Sequence, residues 1–175
     1  MATVKVLLYM AISINGIIAR ENNEEDFISH ENWKEFVRLA KEFGCMVWGS
    51  KTLEVVLSWP KEYKGELKGV RKIVISSKQG LDVPIGYTLV NSPKEALSLL
   101  EKEGFKAVLL AGGSNLNASF AKEGLIDEII ISIEPVIVGK GIPIFATENF
   151  DLKTLLINTK KLNDQLIQLH YKVLK

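Results

Sequence analysis

From Val4 to Ile12 the chain runs VKVLLYMAI, β-branched and long apolar residues with no helical period, which predicts a strand buried on both faces. SINGIIA then turns at Asn15-Gly16. RENNEEDFISHENW is polar and aperiodic, a loop in which Ser29 or His30 can cap the first helix. Between Asn32 and Phe43, the residues Trp33, Phe36, Val37, Ala40 and Phe43 fall at i, i+3, i+4, i+7 spacing and predict a helix with one apolar face, stopped by Gly44. CMVW predicts a second buried strand, and Gly49-Ser50-Lys51-Thr52 leads into a short helix through Leu57. PKEYKGELKG reads as a surface loop.

RKIVISS and YTLVN predict the third and fourth strands. Ser92 caps a helix that begins at Pro93, a favoured first-turn residue, and runs through Glu103. KAVLLA is a fifth strand, Ser114 to Lys122 a helix stopped by Gly124, and IDEIIISIEPVIV a long strand ending near Pro135. TLLINTKKLNDQLIQLHYKV holds two apolar stretches about an Asn163-Asp164 turn, the pattern of an antiparallel hairpin at a sheet edge. Strands alternating with helices and closing on a hairpin predict an α/β sandwich with a mostly parallel sheet. The 175 residues suit one domain, with no internal repeat or low-complexity segment.

Composition narrows the partners. With 47% hydrophobic and 25% charged residues and a formal net charge of +1, the chain offers no general electrostatic reason to bind nucleic acid or an anionic membrane. Any anion site must be local. The only cysteine, Cys45, lies in a predicted core strand and is expected to be an inert buried thiol. Two histidines, His30 and His170, give no metal-ligand spacing. The apolar opening is broken by Lys5 and by polar residues at its far end, so it reads as a core strand of a cytoplasmic protein and not as a signal or membrane segment.

Candidate chemistry collects where strands hand over to helices. Ligands of open α/β sheets sit at the carboxyl ends of strands, where the succeeding helices point their free amides and the positive end of their dipoles at the bound group. Three such ends share one character: Gly112-Gly113-Ser114-Asn115, Gly49-Ser50-Lys51-Thr52 and Ser76-Ser77-Lys78. Singly, each reads first as a tight turn or a solvated lysine. Together they point to a phosphate-bearing ligand. Neither a Walker loop nor GxGxxG is present, so a dinucleotide would be bound in some other way.

The order SINGIIA, VWGSKTLE, KIVISS, VNSPKEAL and VLLAGGSNLNASFAKEGLIDEIIISIEPVIVGKGIPIF resembles the dihydrofolate reductase-like superfamily, in particular the branch related to the C-terminal domain of riboflavin-pathway reductases. The resemblance covers nearly the whole chain. It implies a three-layer α/β/α sandwich with a mixed, mostly parallel sheet, NADPH as hydride donor, a heterocyclic small-molecule substrate and a homodimer. The implied activity is reduction of a 5-amino-6-(5-phosphoribosylamino)uracil-like compound.

By the same resemblance, the backbones of Ala11 and Ile18 lie near the nicotinamide carboxamide. Gly49, Ser50, Lys51 and Thr52 match the segment on the adenosine-side phosphates, and Ser76 and Ser77 the strand end near the 2'-phosphate. Gly112, Gly113, Ser114, Asn115 and Leu116 match the pyrophosphate turn, and Leu110, closing the strand before it, is counted with them. Two lysines near the adenosine end suit NADPH over NADH. The chain also departs from its relatives. Trp33 stands where folate reductases carry an acid on the first helix, Asn15 where the riboflavin branch has aspartate, and Ala111 where that branch often has an acid. A folate reductase with an altered site, and a nucleotide-binding protein without turnover, stay open beside the leading reading.

Several residues carry two readings. Asn15 is a turn residue or a substrate contact, and Trp33 is core packing or an aromatic wall for a planar ring. Asp127 and Glu128 fix a helix-to-strand turn or a dimer contact, with an acid pair as the other reading, and His170 is a solvated strand residue. Glu31 or an ordered water is the candidate proton source, and no residue is assigned a catalytic role.

Overall fold

The computed structural model describes residues 4–78 and 80–175. In chain order the elements are β1 (Lys5–Ser13), β2 (Ile17–Ala19), α1 (His30–Phe43), β3 (Cys45–Gly49), α2 (Ser50–Ser58), α3 (Lys61–Glu66), β4 (Arg71–Ile75) and β5 (Tyr87–Val90). Next come α4 (Pro93–Lys102), β6 (Ala107–Leu110), α5 (Ser114–Lys122), β7 (Glu128–Glu134), β8 (Ile142–Pro143), β9 (Lys153–Lys161) and β10 (Ile167–Leu174). Eight strands form one sheet in the order β5-β4-β3-β6-β1-β7-β10-β9. Neighbours from β5 to β7 are parallel, while β10 runs antiparallel to both β7 and β9. The α/β sandwich and its terminal hairpin are thus as expected.

Alternation along the parallel strands separates two cores. Val6, Leu8, Val47, Ile73, Val108 and Leu110 face α4 and α5, meeting Ala96, Leu100, Leu116 and Phe120. Leu7, Tyr9, Met46, Trp48, Val74 and Leu109 face α1 and α2, meeting Val37, Ala40, Leu53 and Val56. Both faces are covered, which is why these strands read as continuous apolar runs. Cys45 is sealed, donates to the Ala107 carbonyl oxygen, and burial pushes its thiol up to about 12, so it is inert.

Helix α1 begins at His30, ahead of its apolar pattern: Ser29 is the N-cap, its hydroxyl accepting from the Asn32 amide, and Gly44 ends the helix in the left-handed conformation. The buried face is also more polar than the periodicity implies. Asn32 and Glu35 are buried beside Val37 and Ala40, and Trp33 is only half-buried. PKEYKGELKG is not all loop, since Lys61–Glu66 forms α3. None of that helix's residues is buried, so no apolar period could reveal it. His170 is half-buried against Glu128, not freely solvated.

Two short strands escape the sequence pattern altogether. β2 and β8 pair as an antiparallel ribbon whose apolar side packs Ile12, Ile18 and Ala19 together with Ile142 and Ile144. Gly141 makes the ribbon possible: a Cβ there would collide with Ile17 Cγ2 and come within 2.5 Å of the Ala19 carbonyl oxygen. Asn15 locks the turn before β2, its Oδ1 accepting from Ser13 Oγ and the Val138 amide and its Nδ2 donating to the Val138 carbonyl oxygen.

Candidate functional site

The three donor-rich strand ends come after β4, β3 and β6, which are consecutive neighbours in the sheet and all parallel. Their carboxyl ends therefore meet along one rim. β6 is the strand that returns from the far edge to lie between β1 and β3, so the rim includes the place where the winding reverses, the usual seat of ligands in such sheets. There a cleft of about 720 Å³ opens, lined by Gly49, Ser50, Lys51, Thr52, Ser76, Ser77, Lys78, Gly113, Ser114, Asn115 and Leu116. The ribbon closes its other side through Ile18, Ala19, Gly141, Ile142 and Pro143.

Two helices start on this rim, and both start without a side-chain cap. α2 begins after Gly49 and α5 after Gly113, and neither N-cap glycine can offer an oxygen to the first-turn amides. α1 and α4 are capped instead, by the Ser29 and Ser92 hydroxyls, so that a first-turn amide of each is already satisfied. The two uncapped starts are in contact: the Gly49 amide donates to the Gly112 carbonyl oxygen at 2.9 Å, and the Gly112–Gly113 peptide is cis. Beside them the Ser114 hydroxyl, on a residue only 9% exposed, has no hydrogen-bond partner in the protein. A Cβ on Gly113 would approach Thr52 Oγ1 to 3.1 Å, so glycine keeps the passage between the two turns open. First-turn amides, an orphaned hydroxyl and the Lys51 and Lys78 ammonium groups together form a set of donors with no acceptor of their own, which is what an anionic bridge of two phosphates would complete.

Of the fourteen residues expected to hold a dinucleotide, Ile18, Gly49, Ser50, Lys51, Thr52, Ser76, Ser77, Gly113, Ser114, Asn115 and Leu116 line this cleft. Ala11, Leu110 and Gly112 do not. Leu110 is sealed in the core on the α4–α5 face, and Ala11 is half-buried on β1 beside Ser132. The three substrate candidates also lie off the lining. Asn15 spends its amide on residue 138, Glu31 is exposed on the first turn of α1, and Trp33 packs among Phe36, Trp59 and Tyr63 with its indole N–H donated to Glu66. For Asn15 and Trp33 the local bonding satisfies the side chain within the fold.

Two lining residues, Asn23 and Glu25, come from the polar loop after β2, where the sequence carries no period to place them. Asn91, Pro93, Ser119, Ala146 and Thr147 complete the walls. Glu25 is open to the cleft, yet the walls around it displace enough water to push its carboxyl up to about 7.

This arrangement has known counterparts. The model of the RibD C-terminal domain matches residues 4–168. The chain belongs to the RibD C-terminal domain family. YwjB of Bacillus subtilis (strain 168), a protein of uncharacterised function, is 30% identical over 171 residues, covering 95% of this chain and 97% of YwjB. The riboflavin biosynthesis protein RibD of Corynebacterium ammoniagenes is 25% identical over 155 residues, 81% of this chain and 46% of RibD. A solved structure from Shewanella sp. PV-4, provisionally assigned to riboflavin biosynthesis, superposes with a TM-score of 0.80 at 25% identity, over 98% of this chain and 100% of its own. The fold is that of the RibD-like reductases. Among the described residues no helix is long and apolar enough to cross a membrane, and no cluster of His, Cys, Asp and Glu could hold a metal ion.

Proposed function

We propose that this RibD-family protein is an NADPH-dependent reductase that transfers hydride to a ribosylaminopyrimidine, of the 5-amino-6-(5-phosphoribosylamino)uracil type, or to a related C=N or C=O compound. One observation carries the reading: the uncapped starts of α2 and α5 meet at Gly49 and Gly112, with the unpartnered Ser114 hydroxyl beside them. Such a site prefers a diphosphate, and the dinucleotide that carries one supplies hydride when bound. Lys51 and Lys78 would offer the additional 2'-phosphate a positive partner, favouring NADPH over NADH.

The remaining work of the chain is positioning. Ile18, Ala19, Ile142 and Pro143 give the cleft an uncharged side where a planar ring can lie shielded from water. Holding donor and acceptor carbons about 3–3.5 Å apart supplies several kcal/mol of barrier reduction without covalent chemistry. A homodimer working in the cytoplasm belongs to the same proposal. Leu155, Leu156 and Ile157 are exposed on β9, an edge strand of the sheet, where a second copy would cover them.

The test is a fluorescence titration with NADPH and NADH, and then incubation with 5-amino-6-(5-phosphoribosylamino)uracil while the reduced nicotinamide absorbance is monitored. Tight binding of NADPH, weaker binding of NADH and loss of absorbance with the pyrimidine are expected. Binding without turnover of any pyrimidine, pterin or imine acceptor would reduce the protein to a nucleotide binder. Absence of NADPH binding would overturn the reading.

A further inference from the structure

Hydride delivery to a C=N bond leaves a nitrogen that must gain a proton, and among the described residues the one carboxyl in the lining of the cleft is that of Glu25. Asn23 and Glu25 enter the lining from the loop after β2. That loop is built to return: the Arg20 amide donates to the Glu24 carbonyl oxygen at 2.8 Å and the Asn23 amide to the Arg20 carbonyl oxygen at 2.9 Å. Glu24 is thereby folded back onto the residue after β2, which brings Glu25 alongside the ribbon that forms the uncharged side of the cleft. The Ile28 amide, donating to the Glu25 carbonyl oxygen, fixes the backbone on the other side.

The nearest cation in sequence does not neutralise Glu25. Arg20 is committed to Asp26 through two hydrogen bonds of 2.7 and 2.9 Å. Apart from Glu25, the described ionisable residues of the lining are Lys51, at the start of α2, and Lys78, after β4. The linings contributed by β2, β8, α4 and α5 carry no charge, and on its own loop Glu25 has Glu21, Glu24 and the paired Arg20 and Asp26 for company. The Glu25 carboxyl forms no hydrogen bond or ion pair within the described chain, and the walls that displace water around it push its pKa up.

We infer that Glu25 is the proton donor of this cleft, giving its carboxyl proton to the acceptor nitrogen as the neighbouring carbon receives hydride. This rests on the reductase reading. The balance is complete with the reductant already named: the C=N carbon gains a C–H bond, its π pair moves to nitrogen, nitrogen takes the Glu25 proton, and the carboxylate left behind regains a proton from solvent. Phosphates held by Lys51, Lys78 and the two helix starts would leave the reacting ring to the uncharged part of the same cleft, whose lining Glu25 joins. A carboxyl that loses surrounding water to the walls of a cleft and gains no cation keeps its proton to higher pH than an ordinary glutamate, the condition a general acid needs.

The first measurement needs no substrate. Protein labelled at the glutamate carboxyl carbons is titrated by NMR without cofactor. One carboxyl with a midpoint near neutrality, missing from Glu25→Gln, is expected. Ordinary titration of that carboxyl, at about pH 4–5, overturns the proposal. The second compares the rate of NADPH oxidation by the pyrimidine across pH. Wild type should slow as Glu25 ionises above neutrality. Glu25→Gln should bind NADPH unchanged, turn over about 10²-fold or more slowly and lose that limb of the profile. An unaltered rate and profile in the variant overturn the proposal. If wild type binds no NADPH, the cofactor reading falls and this proposal with it; NADPH bound together with an ordinary Glu25 titration removes this proposal alone.

Discussion

The side-chain amide of Asn32 donates to the Glu134 carboxylate at 2.6 Å, and the same Oε1 accepts the Ser29 amide at 2.6 Å. Both side chains are buried, at 1% and 3% exposure, and among the described residues no cation pairs with Glu134. The N-terminus of α1 is thus pinned to the carboxyl end of β7 by a carboxylate that depends on neutral donors. Tyr9 joins the cluster, its hydroxyl donating to Asn32 Oδ1 at 2.9 Å, and burial raises its pKa so that it stays a donor. Asn32→Ala should therefore cost about 1–3 kcal/mol, read as a lower midpoint in urea unfolding. Asn32→Asp sets two carboxylates in contact, so one must keep a proton. Its folded-state pKa rises above the unfolded value, and the variant should gain stability relative to wild type as pH falls and lose it as pH rises.

Gly113 tests the cradle. Its missing Cβ would lie 3.1 Å from Thr52 Oγ1, where the neighbour must give by a few tenths of an ångström. Alanine can be accommodated if that hydroxyl rotates. Valine adds atoms that the passage between the α2 and α5 turns does not hold. Gly113→Val should keep the fold by circular dichroism and bind NADPH at least tenfold more weakly in a fluorescence titration. Unchanged affinity would remove the cradle from its assigned position.

How much of this could be read from the chain depends on the kind of signal. The parallel strands announce themselves because both of their faces are buried, as at Val6 to Tyr9, and the capped helices because Ser29 and Ser92 stand before them. The rim at Gly49, Ser76 and Gly113 is legible because strand-end glycines and hydroxyls next to a lysine are local patterns. Their adjacency is not: it comes from β6 inserting between β1 and β3, a long-range choice. α3 and the β2–β8 ribbon are invisible for a different reason, being either unburied or two to three residues long. Glu25 is hidden most completely. Glu31, beside the expected start of the first helix, looks nearer to the chemistry, yet a polar loop has no period to say which carboxylate turns inward.

The proposed preference for NADPH turns on Lys51 and Lys78, the ionisable groups that line the cleft on the β3 and β4 ends. Both are surface cations whose loss removes no core contact, so Lys51→Ala and Lys78→Ala should leave thermal unfolding nearly unchanged. A 2'-phosphate partner lost in this way costs NADPH about 1.5–3 kcal/mol, roughly 10- to 100-fold in affinity, and leaves NADH nearly unaffected. Equal losses for the two dinucleotides would mean that the lysines act on the shared diphosphate instead.

Acid should weaken the fold through Glu35, a buried carboxylate of α1. This carboxylate is 6% exposed; Arg38 donates to it at 2.8 and 2.9 Å, Gln168 at 3.2 Å, and Lys160 lies 3.6 Å away. The Arg38 hydrogen bonds, reduced in effect by burial and reinforced by Gln168 and by the charges of Arg38 and Lys160, hold its pKa below the ordinary glutamate value of 4.5. Since the folded pKa is the lower one, the contribution is complete above the unfolded value and disappears as pH falls through the folded one. Stability measured in urea should therefore decline below about pH 4.5, and Arg38→Ala should flatten that decline while lowering stability at pH 7. Arg20→Ala is the control: its partner Asp26 is exposed, screened by water and outside any packed contact, so its removal should change the slope little. Equal effects of the two substitutions would show that the α1 contact is no better shielded than an ordinary surface pair, and that the pH dependence arises elsewhere.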